Sequence, residues 1–214
     1  MAEEMNIQEA FKAVMAANGD IPPKQQQVLA ASLELFAQQG FANTTTKQIA
    51  EKAGVAEGTV YRRYKTKDEL LAAVLAPFVT QVLPRLITEF AEGVVGKPYL
   101  TRHEMIQSIA EDRLAFIQKN GPILRILIRE VSVRKDLRSQ FIQHAGPLLE
   151  DNLFPVLDRL KARGELVDWP NSRIAQFMIG TMLTELVRSL LVPEEIATAI
   201  PTIIKFLEKG LAPD

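Results

Sequence analysis

A chain of 214 residues, 47% hydrophobic and 24% charged, buries roughly 70% of its unfolded surface on folding, so no metal or disulfide is needed to complete a core. It contains no cysteine, which excludes disulfides and thiolate metal sites and fits a reducing compartment. The formal net charge of −1 hides an asymmetry: residues 24–67 carry seven Lys or Arg against three Glu, whereas residues 1–23 stand at −3 and residues 68–214 at −2.

In chain order, MAEEMN opens with acid rather than a basic leader, and no apolar run approaches the roughly 20 residues of a membrane span. A cytoplasmic protein with no membrane contact is expected. Ile7, Phe11, Val14 and Met15 share one helical face, and Asn18-Gly19-Asp20-Ile21-Pro22-Pro23 then breaks the pattern. Residues 1–23 are either an extra helix docked on the body or a frayed extension.

A helix is predicted over Lys24–Gln39 with Leu29, Leu33 and Phe36 inward. Gly40 ends it, and Phe41 is placed to fold back on Phe36. Thr45 and Gln48 form a T-x-x-Q capping box for the next helix, which buries Ile49 and Ala50. Gly54 ends that helix, Val55 plugs the turn, and Glu57–Tyr64 forms a third with Val60 facing the core. Thr66 and Glu69 cap a long apolar helix from Lys67, which Pro77 and Pro84 should bend. Beyond Gly93 the pattern predicts Arg102–Asn120, Pro122–Ser132, Asp136–Arg163, Ser172–Val192 and Pro193–Gly210. No run alternates like a strand, so the fold class is all-α. Three divisions follow: an extension at 1–23, a small helical unit at 24–70 and a larger helical domain at 71–214.

The three-residue turn Gly54 to Ala56 between two short helices has helix-turn-helix spacing. Ala50, Val55 and Val60 are small or apolar where the third helix must lie rigidly on the first two. Its outer face can then enter a major groove about 12 Å wide. Thr59, Tyr61, Arg62 and Arg63 are the available readers, with Tyr61 placed opposite Val60 and Tyr64 turned into the core. A guanidinium can bond guanine O6 and N7 together, and hydroxyls suit phosphate oxygens. Glu57 either reads cytosine N4 or favours the positive end of its own helix. Lys67 opposes the positive end of its helix unless a phosphate lies between them. A basic segment in a mildly acidic chain is a footprint for a polyanion.

At these residues the chain resembles the tetracycline-repressor (TetR/AcrR) family of bacterial regulators. LELFAQQGFANTTTKQIAEKAGVAEGTVYRRYKTKDELL follows that family's helix-turn-helix pattern, and the resemblance covers about 48 of the 214 residues. It implies a homodimer reading a palindromic double-stranded DNA operator, with a pocket for a small-molecule effector in the larger domain. It also implies dimerisation through the helices at about 172–192 and 193–210. Carried over position by position, Thr44, Thr46, Lys47, Thr59, Tyr61, Arg63 and Lys67 match DNA-contacting positions, Gly58 a backbone contact, and Arg62 an additional one. Two departures stand out: Ala56 replaces the usual serine cap, and Arg63 stands where His or Tyr is common.

For the pocket, Phe78, Val82, Met105, Ile109, Phe116, Phe141, Phe177 and Met178 are the candidates, suited to an apolar or amphipathic molecule. The last two helices carry apolar residues on more than one face, including Ile174, Met178, Met182, Leu186, Leu190, Ile196, Ile203 and Leu207, as a helix with two buried faces requires. Glu185 and Arg188 can pair at i,i+3, and Trp169 braces the helix that follows it. His103 and His144 are the only histidines, 41 residues apart, so no metal site and no cofactor is expected. No Ser-His-Asp spacing, P-loop or dinucleotide loop is present, which argues against an enzyme. A ligand-responsive regulator, more a repressor than an activator, is the expectation. A helical adaptor without DNA binding is the rival.

Overall fold

A computed structural model of the chain describes residues 6–191 and 196–213, which are helical throughout with no strand among them. The helices are α1 (Ile7–Ala17), α2 (Pro23–Gln39), α3 (Thr46–Lys52), α4 (Glu57–Arg63), α5 (Lys67–Pro77), α6 (Leu83–Phe90), α7 (Arg102–Val133), α8 (Lys135–Ala162), α9 (Asn171–Leu191) and α10 (Ile196–Gly210). The expected junction of the last two at Val192 and Pro193 lies outside the described residues, as do the side chains of Leu190 and Ile196.

Packing divides the chain into two compact units. One holds the described residues up to Leu86 together with Pro122–Ala145. The other holds Ile87–Gly121 and the chain from Gly146 onward.

In the first unit, α1 is a docked helix. Asn6 caps it by accepting from the Gln8 amide, and Ile7, Phe11 and Met15 are buried against α2 and the Phe78–Val82 turn. Each such side chain contributes about 1.5–3 kcal/mol of burial. Gln26 donates to the carbonyls of Asn18 and Ile21 and so fastens the connecting loop to α2.

The bend expected at Pro77 and Pro84 takes the form of a π turn at Phe78–Val82, where the Leu83 amide bonds the Phe78 carbonyl. A second π turn at Ala91–Val95 follows α6, so Lys67–Val95 is one continuous helix of 29 residues. Its most apolar window, with mean hydropathy 1.8, is apolar enough to cross a membrane. This corrects the expectation that no apolar run comes near that length, although the long bent helix itself was expected. Leu70, Leu71, Val74, Leu75, Phe78, Val79 and Val82 are core side chains of this unit, which accounts for the apolar sequence.

The expected break at Asn120-Gly121-Pro122 does not occur, and α7 runs unbroken for 32 residues. Gly121 has no Cβ for the proline ring to strike, which relieves part of the restriction on the residue before proline, and α8 and α10 likewise continue through Pro155 and Pro201. A Cβ there would lie 3.9 Å from Leu186 on α9. Asn120 is buried and its amide donates to the Phe116 carbonyl at 3.0 Å.

Candidate nucleic-acid interface

The local signals of the helix-turn-helix are all realised. Gly40 ends α2 at φ 83°, its amide bonding the Phe36 carbonyl, and the Phe36 and Phe41 rings meet edge-on at 5.2 Å. Thr45 accepts from the Gln48 amide at 3.2 Å while the Gln48 side chain accepts from the Thr45 amide at 2.9 Å. Gly54 turns the chain at φ 64°, and the Val55 amide bonds the Ala50 carbonyl. Lys52 lies 2.7 Å from Glu34, tying α3 to α2; that hydrogen bond holds the Glu34 carboxyl below its usual range against the opposing effect of burial. Unlike α3 and α5, α4 lacks a side-chain cap, because Ala56 occupies its N-cap position. The Ala56 backbone is already extended at ψ 142°, so Ala56→Ser should raise the free energy of unfolding by about 1 kcal/mol, measured by urea denaturation.

At about 100° per residue, Arg62 points farthest from buried Val60, and Tyr61 flanks it on one side with Thr59 and Arg63 on the other. Arg62, rather than Tyr61, is therefore the side chain opposite the core. Tyr64 is buried, its hydroxyl accepting from the Gln25 side chain at 2.9 Å, and burial pushes its phenol above the ordinary pKa. Thr59, Arg62 and Arg63 line a cavity of about 300 Å³ with Pro22, Lys24, Gln25, Val28, Val60 and Tyr64. Three cations and no acid line this groove. Lys24 is absent from the sequence-derived contacts, yet the signal was present: it opposes the positive end of α2 just as Lys67 opposes that of α5. Lys47 and Gly58 are exposed.

Two expected contacts need correction. Thr44 is 1% exposed, and its hydroxyl donates to the Gly40 carbonyl at 2.8 Å, so it closes the α2–α3 turn and does not present a hydroxyl outward. The run Thr44-Thr45-Thr46 concealed this, since only the register of the capping box decides which hydroxyl points in. Lys67 is anchored: its ammonium donates to the carbonyls of Phe41 (2.7 Å), Ala42 (3.1 Å) and Thr44 (3.1 Å) and sits 4.5 Å from the Phe41 ring centre. Its three hydrogens satisfy the orphan carbonyls of the α2–α3 turn, which removes the charge conflict without a phosphate. Thr46 is on the surface, bonded to Glu57 at 3.0 Å and to Tyr61 at 2.9 Å.

Residues 28–74, covering α3, α4 and most of α2, match the sequence model for bacterial regulatory proteins of the tetR family. YvkB, an uncharacterized HTH-type transcriptional regulator of Bacillus subtilis, is 30% identical over 143 residues, 67% of this chain and 69% of that protein. The chain belongs to the TetR family. The fatty acid metabolism regulator protein of the same species is 31% identical over 78 residues, which is 40% of its length. The B. subtilis FadR structure, solved in complex with stearoyl-CoA, shares the fold at TM-score 0.61 and 18% identity, over 86% of this chain and 97% of that one. As a TetR-family protein the chain is a DNA-binding transcriptional regulator, not an enzyme.

The residues expected around a TetR-type effector fall in both packing units. Phe78 and Val82 are buried and Phe141 half-buried in the first. Met105, Ile109 and Met178 are buried in the second, where Phe116 lies 4.8 Å beneath the Arg113 guanidinium. Arg113 also stacks on Phe90 at 3.7 Å and pairs with Asp112, while burial lowers its pKa. Phe177 is the exception. It is 45% exposed, packs on Trp169 with ring centres 5.7 Å apart, and lines a surface cavity of about 140 Å³ with Phe206. It therefore belongs to the outer face of α9, and Trp169 braces that helix as expected.

His103 pairs with Glu208, and no cluster of metal-ligating groups occurs among the described residues. Arg188 reaches Glu185 at 3.3 Å, the expected i,i+3 pair.

Proposed function

We propose that this TetR-family chain is a ligand-responsive repressor that binds a palindromic operator as a homodimer and is released by a small apolar or amphipathic effector. The carrying observation is the outer face of α4, where Arg62 and Arg63 share an acid-free groove with Lys24. In this reading residues 24–70 are the DNA-reading unit, 71–214 the ligand and dimerisation domain, and the protein works in the cytoplasm on the bacterial chromosome. Thr46, Lys47, Gly58, Thr59, Tyr61, Arg62 and Arg63 meet the duplex, Lys24 adds a backbone phosphate, and Lys67 holds the turn from behind.

The second apolar stripe of α9 supports the dimer. Ile174, Met178, Met182 and Leu186 are buried, whereas Ile179, Leu183 and Val187, spaced by four, are 40%, 40% and 55% exposed. A stripe of that kind suits the same stripe of a second copy across a two-fold axis. The partner would set the two α4 helices about 34–36 Å apart, one turn of B-form DNA.

An amphipathic effector is favoured because the FadR of similar fold was solved with stearoyl-CoA. Phe78 and Val82 in one unit and, separately, Met105, Ile109 and Met178 in the other are the buried candidates for contact with its apolar part, and Phe116 and Phe141 are half-buried. Coupling of about 1–3 kcal/mol would shift operator occupancy by one to two decades.

The test is selection of bound fragments from the source genome, followed by titration across salt. One fragment class should be enriched, and six to ten phosphate contacts should reduce its affinity by roughly 10³–10⁵ between 50 and 200 mM salt. No enrichment, or binding indifferent to salt, overturns the reading.

A further inference from the structure

Glu57 is an acid on the helix that faces DNA, in the first turn, where the helix dipole favours it. Its carboxylate accepts the Thr46 hydroxyl at 3.0 Å, and the Thr46 oxygen lies 2.9 Å from the Tyr61 hydroxyl. A threonine hydroxyl carries one hydrogen. If Thr46 gives it to Glu57, the second bond requires the Tyr61 hydroxyl to donate to Thr46. The result is a relay, Tyr61 to Thr46 to Glu57, across the mouth between α3 and α4, ending on a negative charge.

Both hydroxyls named above as duplex contacts therefore have their hydrogens committed internally, that of Thr46 to the Glu57 carboxylate and that of Tyr61 to Thr46. We propose that Glu57 is a discrimination residue: its carboxylate occupies the place of a backbone phosphate oxygen on Thr46, holds the Tyr61 hydroxyl on Thr46 in turn, and must leave before any duplex can dock. A phosphate and a carboxylate cannot share those donors, since two anions at hydrogen-bond separation repel. Release is uncompensated on an arbitrary sequence. It is compensated only where the freed carboxylate finds a donor on a base edge, and in the major groove cytosine N4 supplies one. Specificity is a difference of affinities, and a built-in competitor for phosphate lowers binding to the wrong sequences.

This inference rests on the DNA reading, and the experiment separates the two. Wild type, Glu57→Gln and Glu57→Ala are titrated against a genome-selected fragment and a scrambled duplex of equal length, at several salt concentrations. Both variants should bind the scrambled duplex about three- to tenfold more tightly, with a salt slope steeper by up to about 0.9. The selected fragment should gain less or lose affinity, so the ratio between the two duplexes falls. In a Thr46→Val background the gain from Glu57→Ala should shrink, because the hydroxyl that the carboxylate blocks is gone. Unchanged or weaker scrambled-duplex binding in both variants overturns the proposal, and so does an undiminished gain in the Thr46→Val background. Failure of the wild type to bind either duplex overturns the DNA reading itself.

Discussion

Replacing Arg62 and Arg63 together with alanine should weaken binding to a genome-selected fragment by about 100-fold or more and leave the thermal midpoint within about 1 °C of wild type. Both side chains are exposed and neither lies in the packed core, so folding does not depend on them. Binding does, because Arg62 points farthest from Val60 and Arg63 borders the groove with Lys24. A bidentate guanidinium on guanine is worth about 1–3 kcal/mol, and each phosphate neutralised adds about 0.9 to the salt slope. Fluorescence anisotropy with a salt series separates the two roles. If both arginines hold phosphates, the slope flattens by about 1.8 and affinity falls on every sequence alike. If one reads a base, the loss is larger on the selected fragment than on a scrambled duplex. Undiminished affinity for both duplexes would place the interface elsewhere.

The helix-turn-helix was legible because its signals are local. Thr45 with Gln48, Gly40 with Phe36 and Phe41, and Gly54 with Val55 each act within about five residues, and the structure realises every one. What failed depended on register or on distant partners. Three successive threonines give no indication of which points inward; packing against α2 decides that Thr44 does. Lys67 was read against its own helix dipole alone, while its partners are carbonyls 23 to 26 residues earlier in the chain. The relay from Tyr61 through Thr46 to Glu57 spans two helices and has no sequence signature.

Proline was the other source of error. A rule that ends helices at Pro122 fails because α7 continues through it, as α8 does through Pro155 and α10 through Pro201. Pro77 and Pro84 mark the right place for an irregularity but do not reveal that a π turn absorbs it without breaking the helix. The apolar pocket candidates were ambiguous for a different reason. Helical spacing shows that a residue faces something apolar, and Phe177 faces Trp169 and Phe206 at the surface while Met178, its neighbour, is core.

The remaining large effect concerns that outer face of α9. Leu183→Arg should convert a particle of about 48 kDa, twice the 23.9 kDa chain, into one of about 24 kDa by sedimentation, and reduce affinity for a palindromic fragment at least 10³-fold. Leu183 is 40% exposed between Ile179 and Val187, so arginine fits the free chain, and its helix propensity is close to that of leucine. In a two-fold assembly the change appears twice, placing two like charges in an apolar contact where neither finds a carboxylate. The loss of DNA affinity then follows from counting. Two reading heads on one body add their binding free energies, and a lone head keeps about half, so a nanomolar complex falls to roughly tens of micromolar. Ile142→Arg, on a 62% exposed apolar residue of α8, is the matched control and should leave mass and affinity unchanged. Should Leu183→Arg sediment and bind as wild type does, the α9 stripe is not the two-fold contact. A variant that turns monomeric yet holds the palindrome as tightly as before would remove the dimer from the mechanism altogether.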